Sequence, residues 1–208
     1  MEMFNDYDEL SHLMLKYDFA LKRLETELNI IIKEYEFNNK YGPVDHIKSR
    51  IKTKESAYKK LEKKGYDINI DNLQIHVHDM VGIRIICSFL SDVYDIVNMI
   101  EKSPNLKIIE KRDYIKKPKK SGYSSYHLIV QVPICLNEDI EYIKAEIQIR
   151  TMAMDFWASL DHKIQYKYNG IPKEVKEEMY NCALAMKALD DKMINLNEIV
   201  KQKKKTVK

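Results

Sequence analysis

The reading of the chain turns on His76 to Cys87, HVHDMVGIRIIC. Upstream of it apolar residues recur at helical spacing. From Gly82 onward the period changes: GIRIICSF (82–89) alternates, is rich in Ile and reads as a β-strand. Asp79 then stands just ahead of a strand, Gly82 permits close approach to the backbone, and Arg84 opens the strand. Mg²⁺ is typically held by one or two carboxylates together with substrate phosphates, which a nearby arginine clamps. The plainer alternative is an aspartate paired with its neighbouring arginine, and these six residues do not choose between the two. His76 and His78 lie two apart and point the same way on an extended segment, but zinc needs three or four ligands. His12, His46, His127 and His162 show no ligand spacing, so the first two read as loop histidines. A metal-dependent phosphohydrolase needs further His and Asp ligands upstream, and residues 1–75 offer only His12 and His46 in no suitable pattern.

On the N-terminal side, residues 6–37 predict a helix, because Leu10, Leu13, Tyr17, Leu21, Leu24, Leu28 and Ile31 recur at steps of three and four. KYGPV (40–44) ends it. The spacing predicts a second helix over about 47–64, stopped by Gly65. On the C-terminal side, DVYDIVNMIEKS (92–103) reads as a helix with Asp92 as N-cap. LKIIEKRDYI (106–115), HLIVQVPI (127–134) and YIKAEIQIRT (142–151) read as strands. Residues 152–168 turn helical and NGIP (169–172) breaks them off. A long amphipathic helix over about 173–200 precedes a frayed basic tail, KQKKKTVK (201–208). The fold class expected is α/β (α+β): a mixed sheet of about five strands flanked by helices, with long helices at both termini, as a single domain over residues 1–208.

With 208 residues, 45% of them hydrophobic and 32% charged, the chain can bury one sizeable core under a highly charged surface. No apolar run approaches the roughly 18 residues of a membrane span. The start, MEMFNDYDEL, is acidic and carries no basic n-region, so no signal peptide is expected. Cys87, Cys135 and Cys182 form no C-x-x-C, and an odd, scattered set suits buried thiols in a reducing cytoplasm. A net charge of +3 is too mild by itself to mark a nucleic-acid binder.

A second carboxylate stands in AEIQIRT (145–151): Glu146, Gln148 and Arg150 share one strand face, while Ile147 and Ile149 fill the core on the other. Three polar groups in a row on an otherwise buried strand are costly unless used, so this reads as an active-site face rather than a solvated edge. Two segments are strongly basic. RIKTKESAYKKLEKK (50–64) carries Arg50, Lys52, Lys54, Lys59, Lys60, Lys63 and Lys64, on and before the expected second helix. EKRDYIKKPKKSGYSSYH (110–127) carries Lys111, Arg112, Lys116, Lys117, Lys119 and Lys120, then Gly122, Tyr123, Tyr126 and His127. A charge run is usually a solvated face, but basic groups also grip polyphosphate and a tyrosine stacks on a purine. In MAMDFWASLDHK (152–163), Phe156, Trp157 and Leu160 read as core. Asp155 is either an acidic residue favoured by the helix dipole or an acceptor for the N1–H and N2–H₂ edge of guanine.

Taken in order, R-I-K-x-K-E-S, D-x-x-G-x-R, R-D-Y-I…K-x-S-G-Y-x-S-Y-H and E-I-Q-I-R-T-x-A-M-x-F-W-A resemble the synthetase domain of RelA/SpoT-type enzymes over about residues 20–170. The single-domain length resembles the small alarmone synthetases of the RelQ/RelP type. The resemblance implies a nucleotidyltransferase-like sheet and a GTP pyrophosphokinase, moving pyrophosphate from ATP to the ribose 3′-hydroxyl of GDP or GTP, with GMP a further acceptor. It implies Mg²⁺, or Mn²⁺ in its place, and a homotetramer built through the terminal helices. With no hydrolase domain read, the chain is expected to make the alarmone and not remove it.

Position by position, the resemblance gives Asp79 as the metal ligand and Glu146 as the second carboxylate, helping the metal and taking the proton of the 3′-hydroxyl. Arg50, Lys52, Lys60 and Arg84 match residues around the ATP polyphosphate and adenine, and Arg112 and Lys119 match basic groups near the transferring phosphates. Tyr123 matches the tyrosine that stacks on guanine, His127 and Gln148 match groups at the acceptor nucleotide, and Asp155 sits where the family reads guanine. Two departures stand out. Ser124 replaces the arginine of the usual G-Y-R-S-Y-H, removing a cation expected near the acceptor's phosphates. The stretch V-D-H-I-K-S before Arg50 lacks the F-V-T-G of relatives that respond to their own product. Competing readings are a relative acting on adenosine nucleotides or the 3′ end of tRNA, and a catalytically idle module binding single-stranded RNA through the basic segments; the second predicts a lost carboxylate.

Overall fold

The computed structural model describes residues 2–136, 139–167 and 171–206, with side chains described over 9–136, 139–164 and 171–199. Eleven elements follow one another: α1 (Glu2–Asn39), β1 (Val44–Ile51), α2 (Lys54–Lys64), α3 (Ile70–His76), β2 (Val81–Cys87), α4 (Leu90–Lys102), β3 (Lys107–Asp113), β4 (Tyr126–Leu136), β5 (Asp139–Thr151), α5 (Met152–Lys167) and α6 (Lys173–Thr206). The five strands form one mixed sheet in the order β1-β2-β5-β4-β3. Only β2 and β5 run parallel; the other neighbouring pairs are antiparallel.

Strand alternation divides the sheet into an apolar and a polar face. Val81, Ile83 and Ile85 of β2, Leu128, Val130 and Val132 of β4, and Ala145, Ile147 and Ile149 of β5 are buried together. The α1 stripe of Leu13, Tyr17, Ala20, Leu24, Leu28 and Ile31 joins the same core, with Val93, Ile96, Val97 and Ile100 of α4. Full burial of one such leucine or isoleucine contributes about 1.5–3 kcal/mol. The opposite face of the sheet is left for the site.

The helix expected over 47–64 divides in two. Residues up to Ile51 form the edge strand β1, paired to β2 with Arg50 opposite Gly82. Only then does α2 begin, with Thr53 as N-cap accepting from Ser56 N at 3.3 Å, and it closes on Gly65 at φ +76°. Helix propensity over the Lys-rich run yields to strand pairing upstream of the cap. The short helix α3 was not expected; Asn69 Oδ1 caps it by accepting from Asn72 N at 2.8 Å. Asp92 lies within the first turn of α4 rather than at its cap, accepting from Phe89 N at 3.1 Å and Tyr41 Oη–H at 2.8 Å.

Helix α6 continues through Thr206, where a frayed tail was expected from 201. Asn169 and Gly170 of the expected break, and the last two residues of the tail, lie outside the described residues. The cysteines are free, and only Cys87 is buried; Cys135 and Cys182 are exposed, against the expectation of buried thiols. Among the described residues, no helix is long and apolar enough to cross a membrane.

Candidate active site

Register places the separate motifs side by side on the polar face. Lys48, Arg84, Gln148, His127 and Arg112 form one row across β1, β2, β5, β4 and β3. The adjacent row is Arg50, Gly82, Glu146, Ile129 and Glu110. A cleft of about 340 Å³ opens over these rows, lined among others by Arg50, Asp79, Gly82, Arg84, Glu146 and Gln148. A Cβ on Gly82 would make only an ordinary contact, 3.8 Å from Arg50 O. The glycine therefore keeps the cleft floor low rather than relieving a clash within the chain.

Asp79 lies at the turn between α3 and β2. It is paired with neither of its sequence neighbours: Lys52 Nζ donates to Oδ2 at 2.9 Å and Lys60 Nζ to Oδ1 at 2.7 Å. Burial works against its charge, but Lys60 and Lys52 outweigh it and hold the carboxyl at about 2. Two residues expected around ATP are thus brought onto the expected metal ligand.

Glu146 is one corner of a closed hydrogen-bonded ring. His127 Nδ1 lies 3.1 Å from its Oε1, and Gln148 Nε2 donates to its Oε2 at 2.7 Å. Arg150 Nη2 donates to Gln148 Oε1 at 2.7 Å and to Tyr123 Oη at 2.6 Å, and Tyr123 Oη lies 2.8 Å from His127 Nε2. Guanidinium only donates, so Tyr123 keeps its own proton for His127 Nε2, and the imidazole directs Nδ1–H at Glu146. Burial raises the Glu146 pKa, but the bonds from His127 and Gln148 leave it below its ordinary value.

Tyr123 is turned inward by this ring and meets His127, Tyr114 and Trp157 edge-on. Lys119 Nζ lies 4.8 Å from the Tyr123 ring centroid and 4.7 Å from that of Tyr114.

Asp155, in the first turn of α5, joins the cleft to the ring. Its Oδ1 accepts from Arg84 Nη1 at 2.9 Å and from Arg150 Nη1 at 3.1 Å. That oxygen is engaged by two arginines rather than presented to a base. Arg84 Nε is buried with no hydrogen-bond partner among the described residues, a donor that a bound acceptor would satisfy. Arg112 closes its row with a bidentate pair to Glu110, at 2.5 and 2.7 Å. Ser124 lines a separate cavity of about 200 Å³, shared with α6, and not the cleft.

The residue that sequence reasoning left without a role is Arg150, which is 4% exposed and binds Tyr123, Gln148 and Asp155. Its signal was present: it completes the Glu-x-Gln-x-Arg alternation. The histidines of the opening stretch serve local structure. His76 stacks on Tyr66 at 3.7 Å between ring centroids, and His78 Nε2 lies 2.8 Å from Ile75 O. Among the described residues, no three His, Cys, Asp or Glu side chains come together as a metal site.

Fold and cleft define a class of protein: a mixed sheet whose polar face gathers cations around two carboxylates, which suits it to polyphosphate. The family described as the region found in RelA / SpoT proteins matches residues 49–171, and the chain belongs to that family. It is similar to the GTP pyrophosphokinase YwaC of Bacillus subtilis (strain 168), with 46% identity over 188 residues and 90% of each chain covered. The crystal structure of small alarmone synthetase 2 from Bacillus subtilis superposes with a TM-score of 0.82 at 45% identity, covering 91% of this chain and 98% of that one. Small alarmone synthetase 1 from Bacillus subtilis, bound to its product pppGpp, superposes with a TM-score of 0.85 at 31% identity, over 92% of this chain and 98% of that one.

Proposed function

We propose that the protein is a GTP pyrophosphokinase, transferring the β,γ-pyrophosphoryl group of ATP to the ribose 3′-hydroxyl of GDP or GTP to give (p)ppGpp and AMP. The observation that carries this is Glu146, which lines the cleft beside Asp79 and Arg84 and is also a member of the ring that holds Tyr123. One carboxylate thus faces both a polyphosphate site and an aromatic platform for a base. The small alarmone synthetases and the GTP pyrophosphokinase to which the chain is similar support the same reading.

In this reading Arg50, Arg84, Lys52 and Lys60 surround the ATP polyphosphate and adenine. Arg112 and Lys119 stand near the transferring phosphates, while His127, Gln148 and Asp155 serve the acceptor. Glu146 takes the 3′-hydroxyl proton as the oxygen attacks the β-phosphorus. The bond between the β-phosphorus and the α,β-bridging oxygen breaks, and AMP leaves with that oxygen. Such a transfer needs positioning and charge neutralisation more than covalent chemistry. Tyr123 stacks on guanine; Lys119 lies against its ring, so base and lysine exchange places.

Asp79 and Glu146 offer hard oxygen donors on one cleft, a set that fits Mg²⁺ or Mn²⁺ completed by substrate phosphates. Bound there, the ion would neutralise phosphate charge. Lys52 and Lys60, one on each Asp79 oxygen, would stand beside the ion and within the same cluster of charge as the phosphates.

The catalytic core is taken as about residues 20–170. Phe37, 72% exposed on α1, and Leu184, Leu196 and Ile199, each about half exposed on α6, support assembly as a homotetramer through the terminal helices. A cytoplasmic location fits the use of ATP and GTP. The test is incubation of the pure protein with ATP, Mg²⁺ and each of GMP, GDP, GTP and ADP, with identification of products. GDP and GTP should gain a 3′-diphosphate as AMP appears. ADP as the better acceptor would overturn the reading.

A further inference from the structure

Helix α6 lies wholly beyond the part of the chain that matches the family, which ends at 171, yet it touches the site's supports at two points. The first is the hairpin carrying Tyr123. Gly122 has φ +89°, and a Cβ placed on it would lie 2.5 Å from Ala183 Cβ, so backbone and helix are in direct contact. Gly122 N donates to Lys119 O at 2.8 Å and Lys119 N to Tyr123 O at 3.1 Å, so this contact is passed straight to the tyrosine.

The second point is the junction of β5 and α5. Thr151 and Asp190 are 0% and 8% exposed, and Thr151 Oγ1 donates to Asp190 Oδ2 at 2.7 Å. The same hydroxyl accepts from Met154 N at 3.2 Å. This junction lies between Arg150 and Asp155, the two members of the 3.1 Å ion pair beside the ring. Ala183 and Asp190 are seven residues apart, so they share one helix face about 10 Å apart along the axis. A third tie, Trp157 Nε1 to Met179 O at 2.9 Å, fixes α5 to the same helix.

We propose that α6 is a positioning element for the acceptor nucleotide, with Asp190 holding the β5–α5 junction through Thr151 and Ala183 seating the Tyr123 hairpin under Gly122. The inference rests on the pyrophosphokinase reading and deepens it. One rigid helix face sets the distance between the hairpin that offers Tyr123 and the strand end that offers Arg150. The ATP side meets the second point only through β2, where Cys87 pairs with Thr151. Arg50, Lys52 and Lys60 stand on or beside β1 and α2, with β1 the edge strand beyond β2. The effect of disturbing α6 therefore falls mainly on the guanine nucleotide. Asp190 touches no substrate; it acts through Thr151.

The experiment compares Asp190→Ala, Asp190→Asn and Ala183→Leu. Asp190→Ala removes the acceptor of a buried hydroxyl, whereas Asp190→Asn keeps an oxygen for it. Ala183→Leu pushes on the hairpin without touching a buried polar pair. Asp190→Ala and Ala183→Leu should raise the KM for GDP about fivefold or more, change the KM for ATP less than about twofold, and leave the circular dichroism intact. Asp190→Asn should recover most of the wild-type KM for GDP. Trp157, the single tryptophan, sits between Tyr123 and α6 and provides an independent reading. Its emission should shift to the red in both disruptive variants. If Asp190→Ala fails to fold, Ala183→Leu decides. An unchanged KM for GDP in Ala183→Leu, or an equal rise for both substrates, would overturn the proposal while the function stands. Absence of any guanine-nucleotide turnover by the unaltered protein would overturn both.

Discussion

Arg84 Nη1 on β2 donates to Asp155 Oδ1 on α5 across 2.9 Å, joining a residue proposed for the ATP side to one proposed for the acceptor side. Arg150 reaches the same oxygen at 3.1 Å, so one carboxylate separates two guanidiniums. Asp155→Ala leaves two like charges facing each other. The Arg150 side chain is only 5% exposed, while Arg84 at 28% retains some hydration. The expected loss is about 2–4 kcal/mol of stability, below the full cost of an orphaned buried charge because of that hydration. Asp155→Asn keeps an acceptor and should lose about half as much. Urea unfolding checks both, and equal stability of Asp155→Ala and the unaltered protein would show the bridge to be idle.

The pairing of Asp79 with Lys52 and Lys60 makes stability depend on acid in a defined direction. Its carboxyl is depressed from 3.8 to about 2, with burial opposing the shift and the two lysines outweighing it. A depressed carboxyl contributes stability above its unfolded pKa and loses it as pH falls through the folded value. The window is therefore from about pH 4 down to about pH 2, and the contribution is on the order of 2 kcal/mol. Asp79→Asn should be less stable at pH 7 and should lose less than the unaltered protein on going from pH 5 to pH 3. Urea midpoints at the three pH values measure it; parallel acid profiles would count against the pairing. The same variant should lose turnover.

Glu146→Gln separates chemistry from folding. The carboxylate accepts from His127 on one oxygen and Gln148 on the other. An amide offers one oxygen and one N–H₂, so one donor meets another donor and the ring gives way locally. That should cost about 1–3 kcal/mol. Loss of the base should lower kcat by about a thousandfold. A product assay alongside a melting curve distinguishes the two effects, and near-wild-type kcat in a folded variant would remove Glu146 from the base role.

The carboxylates, the basic segments and Tyr123 were legible in the sequence because their chemistry is local: residue type, alternation and glycine placement. What was not legible came from partners distant in the chain. Arg50 and Lys52 sit in a run rich in Lys, with Ile47 and Ile51 four apart, a spacing that suits a helix. Pairing with β2 makes it a strand, and the helix starts only at the Thr53 cap. Asp79 read forward suggests Arg84 as its partner, but Lys52 and Lys60 approach from across the chain. Arg150 lay on the face identified as the active-site face, yet its role depends on Tyr123 27 residues away and on the α5 turn that returns Asp155. Spacing along one strand cannot show which far side chains will close a ring.

Tyr123 does two separable things, and two substitutions divide them. Its ring offers a face to a base, and its hydroxyl bridges Arg150 and His127 at 2.6 and 2.8 Å. Tyr123→Ala removes both. Stacking of one base on an aromatic ring is worth about 1–3 kcal/mol, so the KM for GDP should rise roughly 5- to 150-fold while that for ATP holds. Tyr123→Phe keeps the ring and opens the hydrogen-bonded circuit, leaving His127 Nε2 and one Arg150 donor without the hydroxyl between them. The KM for GDP should then stay within about threefold, while kcat falls because His127 no longer fixes the orientation of Glu146. Steady-state kinetics with each substrate varied in turn reads both parameters. If Tyr123→Phe raised the KM for GDP as much as Tyr123→Ala with kcat unchanged, the hydroxyl would serve binding and the ring of bonds would carry no part of the chemistry.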